Sequence, residues 1–401
     1  FKIKTYWSWN LEKWERETVE DFVAWYPTGH SRWSDLGEQE FRNGKLGVYE
    51  IKFKPPKDIR FPYLLRKEGG RVIHSLEDGS GVYTSADIEG ALICGYQVEF
   101  LGKCLVWDTK SSDVFDYYVD RFFKMKEDAT IEENAVKRNI AKTMLNALFG
   151  KFLQQPINCN TTIANNLKDI YRFTEKYIIT EFDFYGEKLI LKGEAKEGFK
   201  GENIKFPNHI GCYILSYSKR IMLNYILEID DTLKGDLFTY MDTDSAHIKK
   251  PAFDKLYAKG FIHIKHRKDD PDKLGYLTND IKKGGIIIRE KNLAPKNYMY
   301  EYINEVEELY VGDSAKMKCK GIPKKNLYYE LYTKEEPTEV SFSGLKKVCA
   351  RLTSKQKDIG YFSIVNNTQS RTFCKNRWSG MTLCENKYYP LGFDFNSLKG
   401  E

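Results

Sequence analysis

Two aspartates separated by one residue give this sequence its clearest chemical signal. Asp242 and Asp244 lie in the segment 237–248, which predicts two short strands, rich in β-branched and aromatic residues, that meet at an acidic turn. In an extended chain, side chains two positions apart point to the same face. Two carboxylates on one face offer hard oxygen ligands to a divalent cation such as Mg²⁺. The segment therefore predicts a metal-assisted phosphoryl or nucleotidyl transfer site, although such a sequence is more often only a solvated turn.

An upstream helix carries a second group of chemically suited side chains. Residues 130–133 match a capping box, which predicts that a helix begins there and continues to Gly150. At about 100° per residue, one face of this helix is apolar and is predicted to contact the core. That face consists of Ile140, Ala141, Met144, Leu145, Leu148 and Phe152. Lys142, Asn146 and Phe149 share a different face. A cation, an amide and a ring suit a nucleoside triphosphate, but they also fit an ordinary amphipathic helix.

The remaining pattern predicts a protein of mixed helices and strands. Residues 48–53 alternate apolar and polar side chains, which indicates a half-buried strand. Helices are predicted over 114–126 and 211–229, and a strand over 298–302 follows them. Residues 11–25 have a helical pattern, to which the sequence gives no role.

Composition limits the class of protein. The chain has 401 residues, 41% hydrophobic and 30% charged, which is ordinary for a globular protein of two or three domains. The net charge is +6, and basic residues cluster in the C-terminal third, which favours a polyanionic partner. The eight cysteines are scattered without a C-x-x-C pair, so we expect no zinc site. We expect a cytoplasmic or other reducing compartment rather than secretion, and no membrane span.

Three segments resemble motifs of protein-primed family-B DNA polymerases of viral, phage or linear-plasmid type. Residues 142–150 are similar to the fingers motif K-x-x-x-N-S-x-Y-G, with Ala147 at the serine position and Phe149 at the tyrosine position. Residues 240–245 match the palm motif Y-x-D-T-D-S, and this match is specific. Residues 296–298 resemble the K-x-Y motif that lies near the primer terminus in that family.

The resemblance implies a role for each of these side chains. Asp242 and Asp244 are then the catalytic, metal-binding carboxylates of a two-metal site that uses Mg²⁺, with Mn²⁺ as a substitute. The implied nucleotide-binding residues are Lys142, Asn146 and Phe149, and the implied primer-terminus residues are Lys296 and Tyr298.

The first palm motif of the family, D-x-x-S-L-Y-P, has no clean counterpart. Residues 21–27 keep the spacing from Asp to Tyr-Pro but lack Ser-Leu, which makes Asp21 a further candidate metal ligand. Alternatively, residues 26–29 match the turn that follows this motif, and the corresponding aspartate lies before Phe1 or has been lost. The chain also lacks a region that resembles the family's proofreading exonuclease.

The implied fold is α+β, with the right-hand polymerase architecture of palm, fingers and thumb and with two insertions. The palm would contain the antiparallel sheet and the fingers would be helical. The expected division is an N-terminal segment near the first palm motif at 1–25, a β-rich insertion resembling the terminal-protein region at 26–100, fingers at 101–152, a second, strand-displacement-like insertion at 153–206, palm at 207–310 and thumb at 311–401.

The sequence thus predicts a template-directed DNA polymerase core that adds deoxynucleotides to a primer 3′-hydroxyl or to a protein primer. Its expected partners are primer-template DNA, deoxynucleoside triphosphates and a terminal protein. We expect DNA binding to weaken steeply with salt, because basic side chains would hold phosphates. Two other interpretations remain open. One is a catalytically incomplete or split-polymerase subunit that binds DNA or terminal protein without turnover, and the other is a reverse transcriptase, which also uses paired palm aspartates.

Overall fold

The structure is a computed structural model, and it describes residues 3–8, 13–18, 23–68, 71–153, 158–200, 207–235, 238–263, 276–281, 285–304, 306–334, 336–350, 361–373, 381–384 and 387–400. The helices within these ranges are α1 (Gly37–Arg42), α2 (Ser85–Ile93), α3 (Asp116–Ile131), α4 (Ala135–Phe152), α5 (Leu167–Lys176), α6 (Asn208–Ile229), α7 (Lys250–Ala258) and α8 (Glu330–Thr333).

The strands form short antiparallel sheets. They are β1 (Ile3–Ser8), β2 (Lys13–Thr18), β3 (Tyr26–Ser34), β4 (Leu46–Lys54), β5 (Leu65–Glu68), β6 (Arg71–His74), β7 (Gly79–Thr84), β8 (Gln97–Ser111), β9 (Cys159–Ala164), β10 (Tyr177–Tyr185), β11 (Lys188–Ala195), β12 (Phe238–Asp242), β13 (Ser245–Ile248), β14 (Ile286–Ala294), β15 (Asn297–Ile303), β16 (Leu309–Tyr310), β17 (Lys316–Cys319), β18 (Thr338–Ala350), β19 (Tyr361–Phe373), β20 (Met381–Cys384) and β21 (Lys387–Pro390).

Helix α6 is the element on which the neighbouring modules pack. Its 22 residues span about 33 Å at 1.5 Å per residue. Buried residues cover most of its circumference, which is typical of a helix enclosed by other elements. Tyr213 packs in a cluster near the start of the helix, and Met222 packs in a cluster with α7. Leu223 packs against the four-stranded sheet that contains β4, in the core of the first module. The helix predicted over 211–229 is confirmed, and it begins at Asn208.

The first module is a four-stranded sheet in the order β3-β8-β4-β7. Alternate residues of β4 are buried, as predicted for this segment, and Tyr49, Ile51 and Phe53 form its core with Leu223 of α6. Strand β8 pairs with both β3 and β4 along its length. The boundary predicted at residue 100 therefore falls inside a strand, and the segment predicted as a β-rich insertion shares one apolar core with α6.

The C-terminal end of the chain returns to this first module. The backbone N–H of Leu76 donates to the carbonyl of Leu391 at 2.7 Å, and that of Asp394 donates to the carbonyl of Lys57 at 2.8 Å. Phe393 is buried in the core of the module. The last residues of the segment predicted as thumb therefore pack against residues predicted as the β-rich insertion, which lie more than 300 positions earlier in the sequence.

Helices α3 and α4 pack against each other and begin differently from the prediction. Thr130 lies in the last turn of α3, where its hydroxyl donates to the carbonyl of Lys126 at 2.8 Å, so the predicted capping box is wrong. The cap of α4 is Asn134, whose side chain accepts a hydrogen bond from the N–H of Lys137 at 3.0 Å. An asparagine satisfies an otherwise unpaired N–H of the first turn as well as Ser or Thr does. Glu133, with φ of +52°, makes the turn between the helices.

The predicted core face of α4 is only partly covered. Ala141 is buried, but Ile140 is 50% exposed and Met144 is 38% exposed. Helical periodicity shows which side chains share a face, but it does not show that another element covers that face. The C-terminal end of α4, in contrast, lies close to α6. A Cβ on Gly211 of α6 would lie 2.8 Å from the Leu153 side chain, so a glycine at 211 permits this close contact.

Residues 3–8 and 13–18 form an antiparallel hairpin, with Ile3 opposite Thr18 and Trp7 opposite Trp14. The helical pattern predicted over 11–25 is therefore wrong in this part. Cross-strand pairing with residues 3–8 stabilises the extended conformation, and a window that begins at residue 11 does not include that partner. Within the part of the chain that the structure describes, no helix is long and apolar enough to cross a membrane.

Candidate active site

The two aspartates lie where β12 ends and the turn to β13 begins. Asp242 pairs with Ser245, so Thr243 and Asp244 form the turn rather than continue the strand. The N–H of Asp244 donates to the carbonyl of Asp242 at 2.8 Å, and Thr243 has a φ of +60°. A hydrogen bond between residues i and i+2 is typical of a tight three-residue turn. The prediction that strand alternation aligns the two carboxylates is wrong, because a folded turn brings these residues together.

Strand alternation does explain what lies on each side of this hairpin. Met241 packs towards α6 and α7, with Ile248. Phe238 lies in the same cluster because an irregularity between Phe238 and Tyr240 interrupts the alternation. Tyr240 and Asp242, one position away on either side of Met241, contact the second hairpin formed by β14 and β15. An apolar face on the helices and a polar face on the second hairpin follow from the period of two in an extended strand.

The second hairpin brings Lys296 to Asp242. Ala294 pairs with Asn297, so Pro295 and Lys296 form the turn between β14 and β15. The Lys296 ammonium donates to both carboxylate oxygens of Asp242, with Nζ 2.6 Å from Oδ1 and 2.5 Å from Oδ2. Its backbone N–H donates to the hydroxyl of Tyr240 at 3.0 Å. Lys296 is therefore held through both its backbone and its side chain.

The environment of Asp242 favours the ionised carboxylate. Partial burial alone would raise the pKa of Asp242, but the Lys296 ammonium, the Thr243 hydroxyl and the charge of Lys318 together lower it below its usual value. Asp244 is exposed at the tip of the turn. The two carboxylates thus have different surroundings: one is fixed by a cation and the other faces solvent.

Both turns hold a residue other than glycine in the left-handed region of backbone conformation. Thr243 has a φ of +60° and Lys296 a φ of +61°. This conformation costs about 1 kcal/mol or more for residues with a Cβ, and such strain concentrates at functional sites. Two such residues in the turns that meet at Asp242 are an independent indication that this junction has a function.

Aromatic rings enclose the junction on the side of β15. The Tyr298 ring is buried, with its centroid 5.0 Å from Tyr240 and 6.2 Å from Tyr300. The Lys318 ammonium lies 5.7 Å from the centroid of the Tyr298 ring, a distance suited to a cation–π contact. Of the residues predicted at the primer terminus, Lys296 therefore pairs with Asp242, and Tyr298 packs against Tyr240 of the same hairpin.

The residues predicted to bind nucleotide lie apart from this junction, on α4. Lys142, Asn146 and Phe149 are all exposed and share one side of the helix. Among the residues that the structure describes, none forms a side-chain hydrogen bond or ion pair with Lys142 or Asn146. The helix presents the predicted cation, amide and ring to solvent in the predicted order.

The donor set suits a hard divalent cation. Mg²⁺ sites commonly use one or two carboxylates together with substrate phosphates. Asp242 and Asp244 provide two carboxylates, and the pKa of Asp242 is lowered. Over the described ranges, no group of three or more Asp, Glu, His or Cys residues is placed to hold a metal ion. Asp21, the further candidate ligand, lies outside the described residues. Asp242 and Asp244 fit the group, and any third ligand must come from elsewhere.

Sequence reasoning missed a second polar pair beside the junction. His247 of β13 hydrogen-bonds through Nδ1 to the carboxylate of Glu290 on β14, and Thr239 donates to the same carboxylate at 2.5 Å. The weak signal for Glu290 was its place two positions after the apolar run 286–288, a run that is typical of a strand. A lone histidine near a motif gave no comparable signal, because its partner lies 43 positions away.

Comparison with known proteins assigns the chain to a family. The family model described as DNA polymerase type B, organellar and viral, matches residues 26–235. The chain belongs to this family. The match covers α4 and α6 and ends just before the aspartate hairpin. The resemblance to protein-primed family-B polymerases is thereby confirmed.

Individual polymerases of this family align with large parts of the chain. A DNA polymerase of Kluyveromyces lactis is 24% identical over 299 residues, which are 72% of this chain and 28% of that protein. A DNA polymerase of Bacillus phage Nf is 25% identical over 203 residues, which are 49% of this chain and 27% of that protein. The chain thus spans little more than a quarter of these curated relatives.

The fold also matches solved structures of the Phi29 DNA polymerase. The ternary complex of that enzyme with primer-template DNA and incoming nucleotide matches with a TM-score of 0.52 at 18% identity. The match covers 87% of this chain and 55% of the Phi29 chain. At this identity the likeness shows the fold alone, and it confirms the predicted α+β polymerase architecture.

Proposed function

We propose that this chain carries the nucleotidyl-transfer centre of a DNA-directed DNA polymerase that extends a primer 3′-hydroxyl. The observation that supports this most directly is the junction of two hairpins, where Lys296 pairs with Asp242 and Tyr298 packs on Tyr240, while Asp244 remains exposed. Membership of the type B polymerase family supports the same activity. We infer further that the reaction follows a two-metal mechanism.

Each residue of the junction has a distinct task in this proposal. Asp242 and Asp244 would hold Mg²⁺, which supplies Lewis-acid activation of the primer hydroxyl and charge stabilisation at the phosphate. Lys296 keeps Asp242 ionised and oriented. Tyr298 provides a fixed ring beside the primer end. The turn at Thr243 would set the direction of the Asp244 side chain relative to Asp242.

The exposed side of α4 would receive the incoming deoxynucleoside triphosphate. Lys142 would pair with its phosphates, Asn146 would position it, and the Phe149 ring would stack on it or line its pocket. The exposure of all three side chains leaves them accessible to a ligand. Template specificity would then come from base pairing rather than from these contacts.

The domain division and the macromolecular partners follow as parts of the same proposal. We assign the fingers to α3 and α4, the palm to the elements from α6 through β16, and the thumb to the elements from β17 onwards. Residues 26–100 and 153–206 would be the terminal-protein and strand-displacement insertions. Primer-template DNA and deoxynucleoside triphosphates are the substrates, and a protein primer is a further partner.

The deciding experiment is primer extension on a short DNA template with Mg²⁺ by the parent chain and by Asp244→Ala. Asp244 is exposed in a turn, so its replacement should leave the fold intact. Asp254→Ala on α7 is the matched control, because Asp254 is an exposed aspartate whose one ion pair among the described residues is with Lys250. We expect extension by the parent and the control and a loss of at least about a thousandfold in Asp244→Ala.

One observation favours a second candidate, a subunit that binds DNA without turnover. Among the described residues, no third Asp, Glu, His or Cys is placed with Asp242 and Asp244 to hold a metal ion. A split polymerase whose missing carboxylate comes from another chain would show this pattern. Binding of primer-template DNA without extension by either the parent or Asp244→Ala would support this candidate instead.

A further inference from the structure

A histidine outside the predicted site lies against the rings that form the wall of the junction. The His247 side chain is 16% exposed. Its ring centroid lies 5.2 Å from Tyr240 and 5.2 Å from Tyr298, and 5.6 Å from Tyr300. The planes of His247 and Tyr298 are nearly perpendicular, at 88°. His247 therefore contacts both tyrosines that flank the Lys296–Asp242 pair.

The orientation of His247 is fixed from the opposite side. Its Nδ1 hydrogen-bonds to Glu290, whose side chain is only 10% exposed. Burial alone would raise the pKa of Glu290, but the hydrogen bonds from His247 and Thr239 hold the pKa below its usual value. A carboxylate bonded to one ring nitrogen sets the tautomer and the rotation of an imidazole. Glu290 and Thr239 together leave His247 little freedom to rotate.

These contacts form a continuous path to the predicted primer end. Glu290 orients His247, and His247 packs against Tyr240 and Tyr298. Tyr240 in turn accepts the backbone N–H of Lys296 in its strained turn. A side chain that keeps Tyr298 and Lys296 in place affects how well the reacting atoms are aligned. Small misplacements of this kind have large effects on rate.

We propose that His247, held by Glu290 and Thr239, is a positioning residue for the primer 3′ end. It acts through Tyr240 and Tyr298 and touches neither DNA nor the reacting atoms. This assignment rests on the proposed polymerase function. It predicts a loss of turnover rather than a loss of nucleotide affinity, since the nucleotide-binding side chains lie on α4.

The test compares the full chain with His247→Leu, His247→Gln and Glu290→Gln. Single-turnover primer extension would give the rate at saturating deoxynucleotide, and steady-state extension would give the KM for deoxynucleotide. We expect His247→Leu and Glu290→Gln to lose about tenfold in rate, with KM within about twofold of the parent. His247→Gln keeps an amide that can bond to Glu290, so we expect a loss of only about threefold. His30→Leu, at an exposed histidine of β3, is the control for loss of an imidazole.

A merely structural role gives a different result. It would lower the melting temperature and would change rate and KM together, with the Leu and Gln variants at 247 equally impaired. Either that pattern or an unchanged rate in His247→Leu overturns the proposal. The melting temperature of each variant is measured in parallel to separate these cases.

A second measurement keeps the proposal testable if the proposed function fails. Fluorescence of 2-aminopurine at the primer 3′ end reports placement of that base without turnover. If the parent does not extend a primer, a changed 2-aminopurine signal in His247→Leu, with unchanged duplex affinity, still supports the positioning role. An identical signal in parent and variant, or no binding of primer-template by the parent, overturns it.

Discussion

The predicted site residues of the aspartate junction contact other protein groups, whereas those of helix α4 are exposed to solvent. At the junction, Asp242 and Lys296 are paired with each other, and Tyr298 is buried among other rings. On α4, Lys142 and Phe149 extend into solvent. One region is organised by contacts within the protein, and the other leaves its predicted site side chains exposed to solvent.

This difference indicates whether the side chains of each region lose their conformational entropy on folding or on ligand binding. Side chains fixed by internal contacts lose their rotational freedom on folding, so the substrate need not order them. Exposed side chains lose that freedom only when a ligand binds, and their contribution therefore appears in the affinity for the ligand. We expect changes at the junction to lower turnover and changes on α4 to raise the KM for nucleotide.

The largest expected difference concerns stability and uses two methionines. Met299 of β15 is fully buried, whereas Met144 of α4 is 38% exposed. Met299→Ala leaves a cavity and should cost about 2–5 kcal/mol in the free energy of unfolding. Met144→Ala should cost less than about 1 kcal/mol, because little area is buried there and alanine favours a helix. Urea unfolding of the two variants measures both values, and equal losses would show that α4 is packed as tightly as the junction.

The second prediction concerns the cation of α4. Lys142→Ala should raise the KM for deoxynucleotide about tenfold to a hundredfold, the usual value of a hydrogen bond to a charged group, and change kcat little. Steady-state primer extension over a range of nucleotide concentrations measures both. Lys137→Ala is the control on the same helix, because Lys137 pairs with Glu132 at 2.9 Å. A KM shift in the control equal to that in Lys142→Ala would contradict a specific phosphate contact.

The third prediction concerns Lys296, the cation of the aspartate junction. Lys296→Ala should lower kcat about tenfold and leave the KM for deoxynucleotide within about twofold, since Lys296 orients Asp242 rather than the nucleotide. Lys250→Ala, at an exposed lysine of α7, controls for the lost charge. A raised KM with an unchanged kcat would place Lys296 in the nucleotide site and remove the contrast between the two regions.

Local patterns in the sequence predicted the helices and strands that carry the site, and much less of what holds them together. The strands 48–53 and 298–302 and the helix 211–229 follow from periodicity, which depends only on neighbouring residues. The capping box failed because Thr130 satisfied the pattern but belongs to the preceding helix. The pairs Asp242–Lys296 and His247–Glu290 join residues 54 and 43 positions apart. Such pairs depend on the packing of two hairpins, which no local window contains.

The smallest expected effect tests whether the polar contacts of the junction stabilise the fold, as the comparison with α4 requires. The pKa of Glu290 is lowered in the folded protein, because the hydrogen bonds from His247 and Thr239 outweigh the effect of burial. A lowered pKa gives stability that is complete above the unfolded pKa of about 4.3 and is lost as pH falls through the folded pKa. The parent should therefore exceed Glu290→Gln by about 1 kcal/mol in free energy of unfolding at pH 7. This difference should decrease below about pH 4, as urea unfolding at several pH values would show.

The exposed Glu194→Gln on β11 controls for the removal of one charge. A difference between parent and Glu290→Gln that stays constant down to pH 3 would mean that the carboxylate does not stabilise the junction through its ionised form.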